Sequence, residues 1–216
     1  MYTPLTAALA LASTVSATAI SSTKWYSLRQ VARFDNDISV PLTGAAPINE
    51  YLDIFWNGMS LVNTVSVAGA NPGVAPNSPP NYAAYSVGDA ATVLQGQPAM
   101  TVNYQDSTVD HFVLRSFYFG CAAGLQNGAV SFPLTCTVTA TGKDRKGKQV
   151  ARQSFKFKSN GGLRQNQIKA TLSSSFVNLG SVEFKTTTGN AAADALVATV
   201  IDTVDYIVYG ARPISN

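Results

Sequence analysis

The chain has 216 residues, of which only 12% are charged, with 15 basic against 12 acidic side chains and a net charge of +3. Globular proteins typically have about 25% charged residues. This composition is instead rich in threonine, serine, asparagine, glycine and alanine, which argues against a cytosolic housekeeping enzyme. It favours a secreted β-rich protein with a hydroxyl-bearing surface. The length suits one domain with a single core.

The N-terminal 19 residues contain no charged side chain. An apolar stretch over residues 5–15 is followed by Ala17, Thr18 and Ala19. This pattern predicts a secretory signal peptide over residues 1–19, followed by one extracellular domain over residues 20–216. The alternative is a disordered or helical N-terminus of a cytosolic protein. No later apolar stretch is long enough to cross a bilayer, so we expect no transmembrane segment.

Cys121 and Cys136 are the only two cysteines of the chain. In an oxidising compartment such a pair most simply forms a disulfide. Closing this loop is worth roughly 3 kcal/mol in the chain-entropy model. Two free thiols or a redox pair are the alternative, but the spacing is not that of a CxxC motif. We therefore expect one disulfide.

Short β-rich runs separated by turn residues recur along the chain, whereas helical periodicity is scarce. The pattern predicts an all-β sandwich. The proline-rich segment 68–81 is predicted to be a long ordered loop, and residues 191–197 to be one short helix. The predicted strands are 25–34, 53–56, 60–67, 99–104, 111–119, 134–141, 148–158, 167–172, 181–186 and 199–209.

The clearest local signal is a β-hairpin that turns over residues 144–147, where Gly147 can adopt a positive φ angle. Side chains alternate between the two faces of a strand. Alternation on the first strand of the hairpin therefore places Cys136, Val138 and Ala140 on one face and threonines on the other. We expect the cysteine-bearing face to be buried.

Basic residues are concentrated in one part of the chain. Nine of the 15 lie within residues 143–169, where Asp144 is the only acid, so this segment carries +8 and the remainder −5. Alternation aligns three basic side chains on one strand face, namely Arg152, Lys156 and Lys158. Such a strip suits an acidic polysaccharide or an anionic membrane surface, and the alternative is a charge-protected sheet edge. Phe155 and Phe157 fall on the opposite face, which argues against nucleic acid.

Carboxylates occur near both ends of the predicted domain. Asp35 and Asp37 lie near its start, and the last predicted strand contains Asp202 and Asp205. Strict alternation places Asp202 on the face of the apolar even-numbered residues of that strand, with Asp205 on the other face. A carboxylate among apolar neighbours needs a cation or several hydrogen bonds, and calcium takes oxygen ligands of this kind. If the first and last strands are neighbours, these four aspartates could hold one structural calcium ion; hydrogen bonding to loop amides is the alternative.

Three elements carry a resemblance to a known class of proteins: the Phe-Asp-x-Asp of residues 34–37, the LDIFWNG of residues 52–58 and the Ile-Asp-x-Val of residues 201–204. Together they resemble secreted jelly-roll sandwiches, abundant in fungi, that are similar to galactose-binding-like and carbohydrate-binding-module folds. The resemblance extends over nearly all of residues 20–216. It implies a jelly-roll β-sandwich, a structural calcium and the binding of glycans through loops.

Aromatic residues flank the proline-rich segment and are candidate stacking platforms for sugars: Tyr51, Trp56, Tyr82 and Tyr85. For Trp56 the alternative is a position in the core, with the tyrosines half-buried. The predicted glycan site therefore combines the three tyrosines with Arg152, Lys156 and Lys158.

Enzyme motifs are absent from the sequence, which has no Gly-x-Ser-x-Gly elbow, His-Glu-x-x-His or P-loop. His111 is the only histidine, and a glycosidase pair would have to come from Glu50, Asp53 or Glu183. The sequence thus favours a secreted, monomeric and non-catalytic protein that binds an extracellular polysaccharide or another cell-surface component. A secreted effector that binds a host protein and an accessory enzyme of an extracellular pathway are the alternatives.

Overall fold

The computed structural model describes residues 23–36, 45–64, 73–123 and 132–213, so the predicted signal peptide lies outside the described residues. Strands β1 to β7 are Thr23–Ala32, Ala45–Tyr51, Ile54–Asn63, Val74–Ala75, Asn81–Tyr85, Ala99–Thr101 and Val109–Ala123. Strands β8 to β13 are Cys136–Lys143, Gln149–Phe157, Gln165–Asn166, Ile168–Thr171, Ser181–Thr187 and Val197–Pro213. Two short helices, α1 (Ala90–Gln95) and α2 (Ala191–Asp194), complete the fold. The predicted all-β class is confirmed.

One hydrogen-bonded path joins the strands in the order β11-β7-β13-β5-β3-β6-β12-β8-β9, while β1 pairs with β13 and β2 with β3. The path folds over into two facing layers that form a β-sandwich. Phe117 of β7 contacts Phe155 of β9 and Phe184 of β12, with ring centroids 5.5 Å apart in both pairs. Strand β5 connects the layers, because it pairs with β13 on one side and β3 on the other.

A single side chain ties together the two ends of this path, β9 and β11. The Gln153 amide donates to the backbone oxygen of Thr171 at 3.1 Å and accepts from the Ser173 amide at 2.8 Å. These bonds engage backbone groups at and just beyond the C-terminal end of β11. Because β11 is an edge strand, such groups would otherwise face solvent. The sandwich is therefore nearly closed on this side.

The predicted strands 53–56 and 60–67 are one strand, β3. It continues through Gly58, whose φ angle is 63°. A Cβ atom at this position would lie 2.4 Å from the backbone oxygen of Gly96, so only glycine allows this conformation and this close approach. The glycine interrupts the sequence pattern without ending the strand.

The predicted disulfide is confirmed. Cys121 of β7 and Cys136 of β8 are bonded, with their Cα atoms 6.2 Å apart and both side chains buried. Because β7 and β8 belong to opposite layers, the bond links the two halves of the sandwich. The hairpin is confirmed as well: Gly147 has a φ angle of 80°, and Val138 and Ala140 share the buried face of Cys136.

Candidate functional site

Asp35 and Asp202 converge on one residue of the proline-rich segment, Ser78. Asp35 follows β1, and Asp202 lies in β13, where the segment preceding β5 covers it. The Ser78 amide donates to Asp202 Oδ2 at 2.6 Å, and the Ser78 hydroxyl donates to Asp35 Oδ2. The Asn81 backbone amide donates to Asp35 Oδ1 at 3.3 Å. Ser78 therefore bridges the two carboxylates.

A β-bulge in β13 determines where Asp202 and Asp205 point. Between Asp202, opposite Tyr118, and Asp205, opposite Ser116, β13 contains one residue more than β7, and Thr203 has a φ angle of 47°. Since a bulge shifts the alternation of side chains, Asp202 does not share the inward face of Val204 and the following even-numbered residues. The prediction from strict alternation is wrong at this point.

Asp202 is completely buried. Burial raises the pKa of its carboxyl group to about 6, although the amides of Ser78 and Thr203 donate hydrogen bonds that favour the charged form. The neighbouring charge of Asp35 adds to the increase. Among the described residues, no lysine or arginine forms an ion pair with Asp202. Hydrogen bonds from backbone amides, instead of an ion pair, therefore offset the cost of burying the Asp202 carboxylate.

Asp205 does not join the Asp35–Asp202 pair. Arg29 binds both of its oxygens, with Nε to Oδ1 and Nη2 to Oδ2 at 2.9 Å, and Arg115 lies 3.9 Å from Oδ2. In the described ranges, no three acidic, histidine or cysteine side chains form a group that could hold a metal. The structure therefore does not bring Asp205 together with Asp35 and Asp202, because Arg29 binds the Asp205 carboxylate. Asp37 lies outside the described residues.

The Asp35–Asp202 pair fits a calcium ion in part. It supplies two carboxylates, and all four of their oxygens already accept hydrogen bonds from backbone amides or a hydroxyl. Calcium takes about six to eight oxygen ligands, so backbone carbonyls or water would have to supply the rest. Cation binding at this pair remains a prediction.

The tyrosines expected as sugar platforms are mostly buried. Tyr82 is 2% exposed and Tyr85 5%, because β5 lies between β3 and β13 instead of forming a surface loop. Burial raises the pKa of the Tyr82 hydroxyl well above its usual range and that of Tyr85 to about 12. The expectation that Tyr82 and Tyr85 are exposed is wrong. Tyr51 is partly buried and stacks on Phe34, with ring centroids 5.4 Å apart, while Trp56 belongs to the core.

The basic side chains on β9 and directly after it lie where alternation predicts. Arg152, Lys156 and Lys158 are exposed, whereas Phe157 is buried and Phe155 packs against the core. Cross-strand pairing aligns them with residues of β8, Thr141 opposite Arg152 and Thr137 opposite Lys156. Lys185 of β12 lies opposite Thr139. We call this surface the basic face: Thr137, Thr139, Thr141, Arg152, Ser154, Lys156, Lys158 and Lys185.

The residues considered for catalysis have separate partners. His111 Nδ1 lies 2.8 Å from Asp110 Oδ2, and its ring stacks on Tyr209 with centroids 4.8 Å apart. Glu50 accepts a bond from the Tyr104 hydroxyl at 3.3 Å, and Glu183 pairs with Lys143. Each of these carboxylates is held by a different structural neighbour.

A cavity of about 350 Å³ was not predicted from the sequence. It lies among the end of β5, helix α1, strand β12 and the start of β13. Its lining is Tyr85, Ser86, Val87, Thr92, Gln97, Pro98, Phe184, Lys185, Thr186, Asp194 and Val197. The sequence feature that points to this cavity is the presence of apolar residues in otherwise polar loops. Val87 and Leu196 are examples, and both are exposed.

No family model matches the chain, and no curated protein sequence matches it. Its fold is similar to the crystal structure of a DUF4465 family protein from Bacteroides caccae ATCC 43185, with 14% identity, a TM-score of 0.50, and coverage of 83% of this chain and 98% of that chain. A DUF4465 family protein from Bacteroides ovatus ATCC 8483 has 9% identity over 88% of this chain and 100% of that chain, with a TM-score of 0.43.

The arabinose-bound MgGH51 α-L-arabinofuranosidase is 14% identical, with 86% of this chain and 28% of that chain covered and a TM-score of 0.40. At such low identity, the first of these likenesses shows a shared β-rich fold and nothing about activity. None of the helices in the described part of the chain is long and apolar enough to cross a membrane.

Proposed function

We propose that this protein is secreted and binds an acidic extracellular glycan through the basic face. This proposal rests on the alignment of Arg152, Lys156 and Lys158 on one exposed face. Within the described ranges, none of these three residues forms an ion pair with a carboxylate. Their charges are therefore available to an external polyanion.

The hydroxyl groups beside these cations support a carbohydrate ligand. Thr137, Thr139 and Thr141 occupy successive outward positions of β8, and the hydroxyls of Thr139 and Ser154 lie 2.9 Å apart. Protection of a sheet edge would account for charges on β9, which is the last strand of the path. It does not account for the outward threonines of β8 or for Lys185 of β12, which lie farther from the edge of the sheet. Cations next to hydroxyls offer partners for both the carboxylates and the hydroxyls of a uronate polymer.

The expected affinity of a single contact is low. An exposed ion pair contributes about 0–1 kcal/mol, and its field is screened over roughly 8 Å at physiological salt. Outward residues on a strand repeat at about 6.7 Å, so one polymer chain can contact several cations at once. Binding should therefore be multivalent and sensitive to salt.

We expect the protein to be retained on immobilised polygalacturonate or alginate at low salt and to elute as salt rises. Replacing Lys156 and Lys158 with serine should shift elution to clearly lower salt, because two exposed cations of the basic face are lost. The measurement is the salt concentration at half-elution. The disulfide is consistent with the extracellular location that this proposal needs.

The matched control is the Lys24→Ser/Arg33→Ser variant, which loses the same charge from exposed positions outside the basic face. An equal shift in both variants would indicate a response to net charge alone. Failure of the wild-type protein to bind any acidic polymer at low salt would make the proposed function wrong.

A further inference from the structure

The cavity beside α1 has the size and lining of a small-molecule site. Its volume is about 350 Å³, and ligand pockets usually measure about 300–1,000 Å³ with mainly apolar walls and a few polar groups. Apolar wall atoms come from the side chains Tyr85, Val87, Pro98, Phe184 and Val197. Such a lining favours a ligand with an apolar ring or short chain.

The wall is rigid, because it belongs to the core of the sandwich. Tyr85, Phe184 and Val197 are all buried. The Tyr85 hydroxyl lies 2.9 Å from Thr186 Oγ1, which lies 2.6 Å from Thr199 Oγ1. A pocket with such fixed walls needs little reorganisation to bind a ligand, and this favours affinity.

The row of hydroxyls at Tyr85 and Thr186 offers the cavity a hydrogen-bonding group. Burial raises the pKa of Tyr85 to about 12, so its hydroxyl keeps its proton at neutral pH. Each hydroxyl has one proton and two acceptor sites. The Tyr85–Thr186 and Thr186–Thr199 bonds use two of the three hydroxyl protons and two acceptor sites, so the row keeps one proton and further acceptor sites for a ligand hydroxyl or carbonyl.

The charges at the cavity are balanced. Asp194 accepts hydrogen bonds from the Thr188 hydroxyl and amide and from the Thr187 hydroxyl, which hold the pKa of Asp194 below its usual value. The positive charge of Lys185 acts on the same carboxylate. With one cation and one committed carboxylate, the cavity has no net charge to attract an ion. An uncharged ligand suits it better.

Exposed apolar residues mark the opening. Val87 lines the cavity and is 68% exposed, and Leu196, also 68% exposed, directly precedes Val197 of the wall. Exposed apolar groups beside an apolar pocket are characteristic of ligand-binding sites. We propose that this cavity binds a small uncharged molecule with an apolar ring or short chain and one hydroxyl or carbonyl group, which bonds to Tyr85 and Thr186.

The test is a titration of the ¹⁵N-labelled protein with p-cresol and, separately, with toluene, followed by NMR chemical shifts. We expect saturable shifts centred on residues 85–87, 185–186 and 197 with both probes, and tighter binding of p-cresol. Tyr85→Phe should weaken p-cresol binding about 3- to 10-fold, the effect of one hydrogen bond, while toluene binding changes less. Val87→Phe should weaken both by at least about tenfold, because the larger side chain narrows the opening.

The control is Val93→Phe, since Val93 is also a 68% exposed valine but does not line the cavity. It should leave both affinities within about twofold of the wild type. The proposal is overturned if neither probe gives saturable shifts, if the shifts map to another surface, or if Val87→Phe binds like the wild type. Should Val87→Phe not fold, the shift map of the wild type and the Tyr85→Phe affinities still decide the outcome. The glycan proposal is independent of this test.

Discussion

Replacing both Cys121 and Cys136 with alanine should lower the free energy of unfolding by about 3 kcal/mol. The bond closes a loop with a sequence separation of 15 residues and joins the two layers through β7 and β8. Without it, the unfolded chain gains conformational freedom. For a domain of this size, each kcal/mol corresponds to a change in melting temperature of about 2–4 °C. We therefore expect a decrease of roughly 6–12 °C by calorimetry.

The reducing agent dithiothreitol provides the matched control for this prediction. Under conditions that break the bond, the wild-type melting temperature should fall to near that of the double alanine variant. The variant itself should not respond to the reductant. A wild-type protein whose melting temperature is unchanged after confirmed reduction would show that the crosslink contributes little to stability.

Acidification in the presence of EDTA should stabilise the protein through Asp202. The pKa of this group is raised from 3.8 to about 6 in the folded state, so the folded protein binds the proton more tightly than the unfolded chain. The stabilising contribution is fully present below pH 3.8 and is lost as the pH rises through 6. One pKa unit corresponds to about 1.4 kcal/mol, so the full effect is about 3 kcal/mol.

The measurement is the difference in unfolding free energy between the wild type and Asp202→Asn, followed from pH 7 to pH 4.5. The difference removes the contributions of other carboxylates, and asparagine imitates the size of the protonated acid. Asp106→Asn is the matched control, because Asp106 is an exposed aspartate with a positive φ angle that asparagine tolerates. If the wild type and Asp202→Asn respond identically to pH, Asp202 does not titrate in this range.

Calcium would reverse this pH dependence if it binds to Asp35 and Asp202. A bound cation keeps both carboxylates ionised, so acidification would then destabilise the protein. Calcium at a hundredfold excess over its Kd should stabilise the folded state at pH 7 by about 2.7 kcal/mol. Identical melting curves in calcium and in EDTA, with no bound metal by elemental analysis, would remove the calcium prediction and leave the pH prediction in place.

Sequence pattern alone determined the features that depend on nearby residues. The alternation around Val138 and on β9 predicts which side chains are buried and which are exposed, because a strand has a period of two residues whatever its partners are. The turn at Gly147 follows from the conformational freedom of glycine. The disulfide required only two cysteines and an oxidising compartment.

Tertiary structure alone decided the features that depend on which distant segments meet. Strand β5 follows the proline-rich segment 68–81 and is not among the predicted strands, yet it is buried because β3 and β13 pair with its two edges. The bulge at Thr203 moves Asp202 under Ser78 and turns Asp205 toward Arg29. The cavity exists because four separate elements leave a gap at one end of the sandwich. Local periodicity contains no information about these contacts, since strand pairing and packing between layers bring together residues that are far apart in the chain.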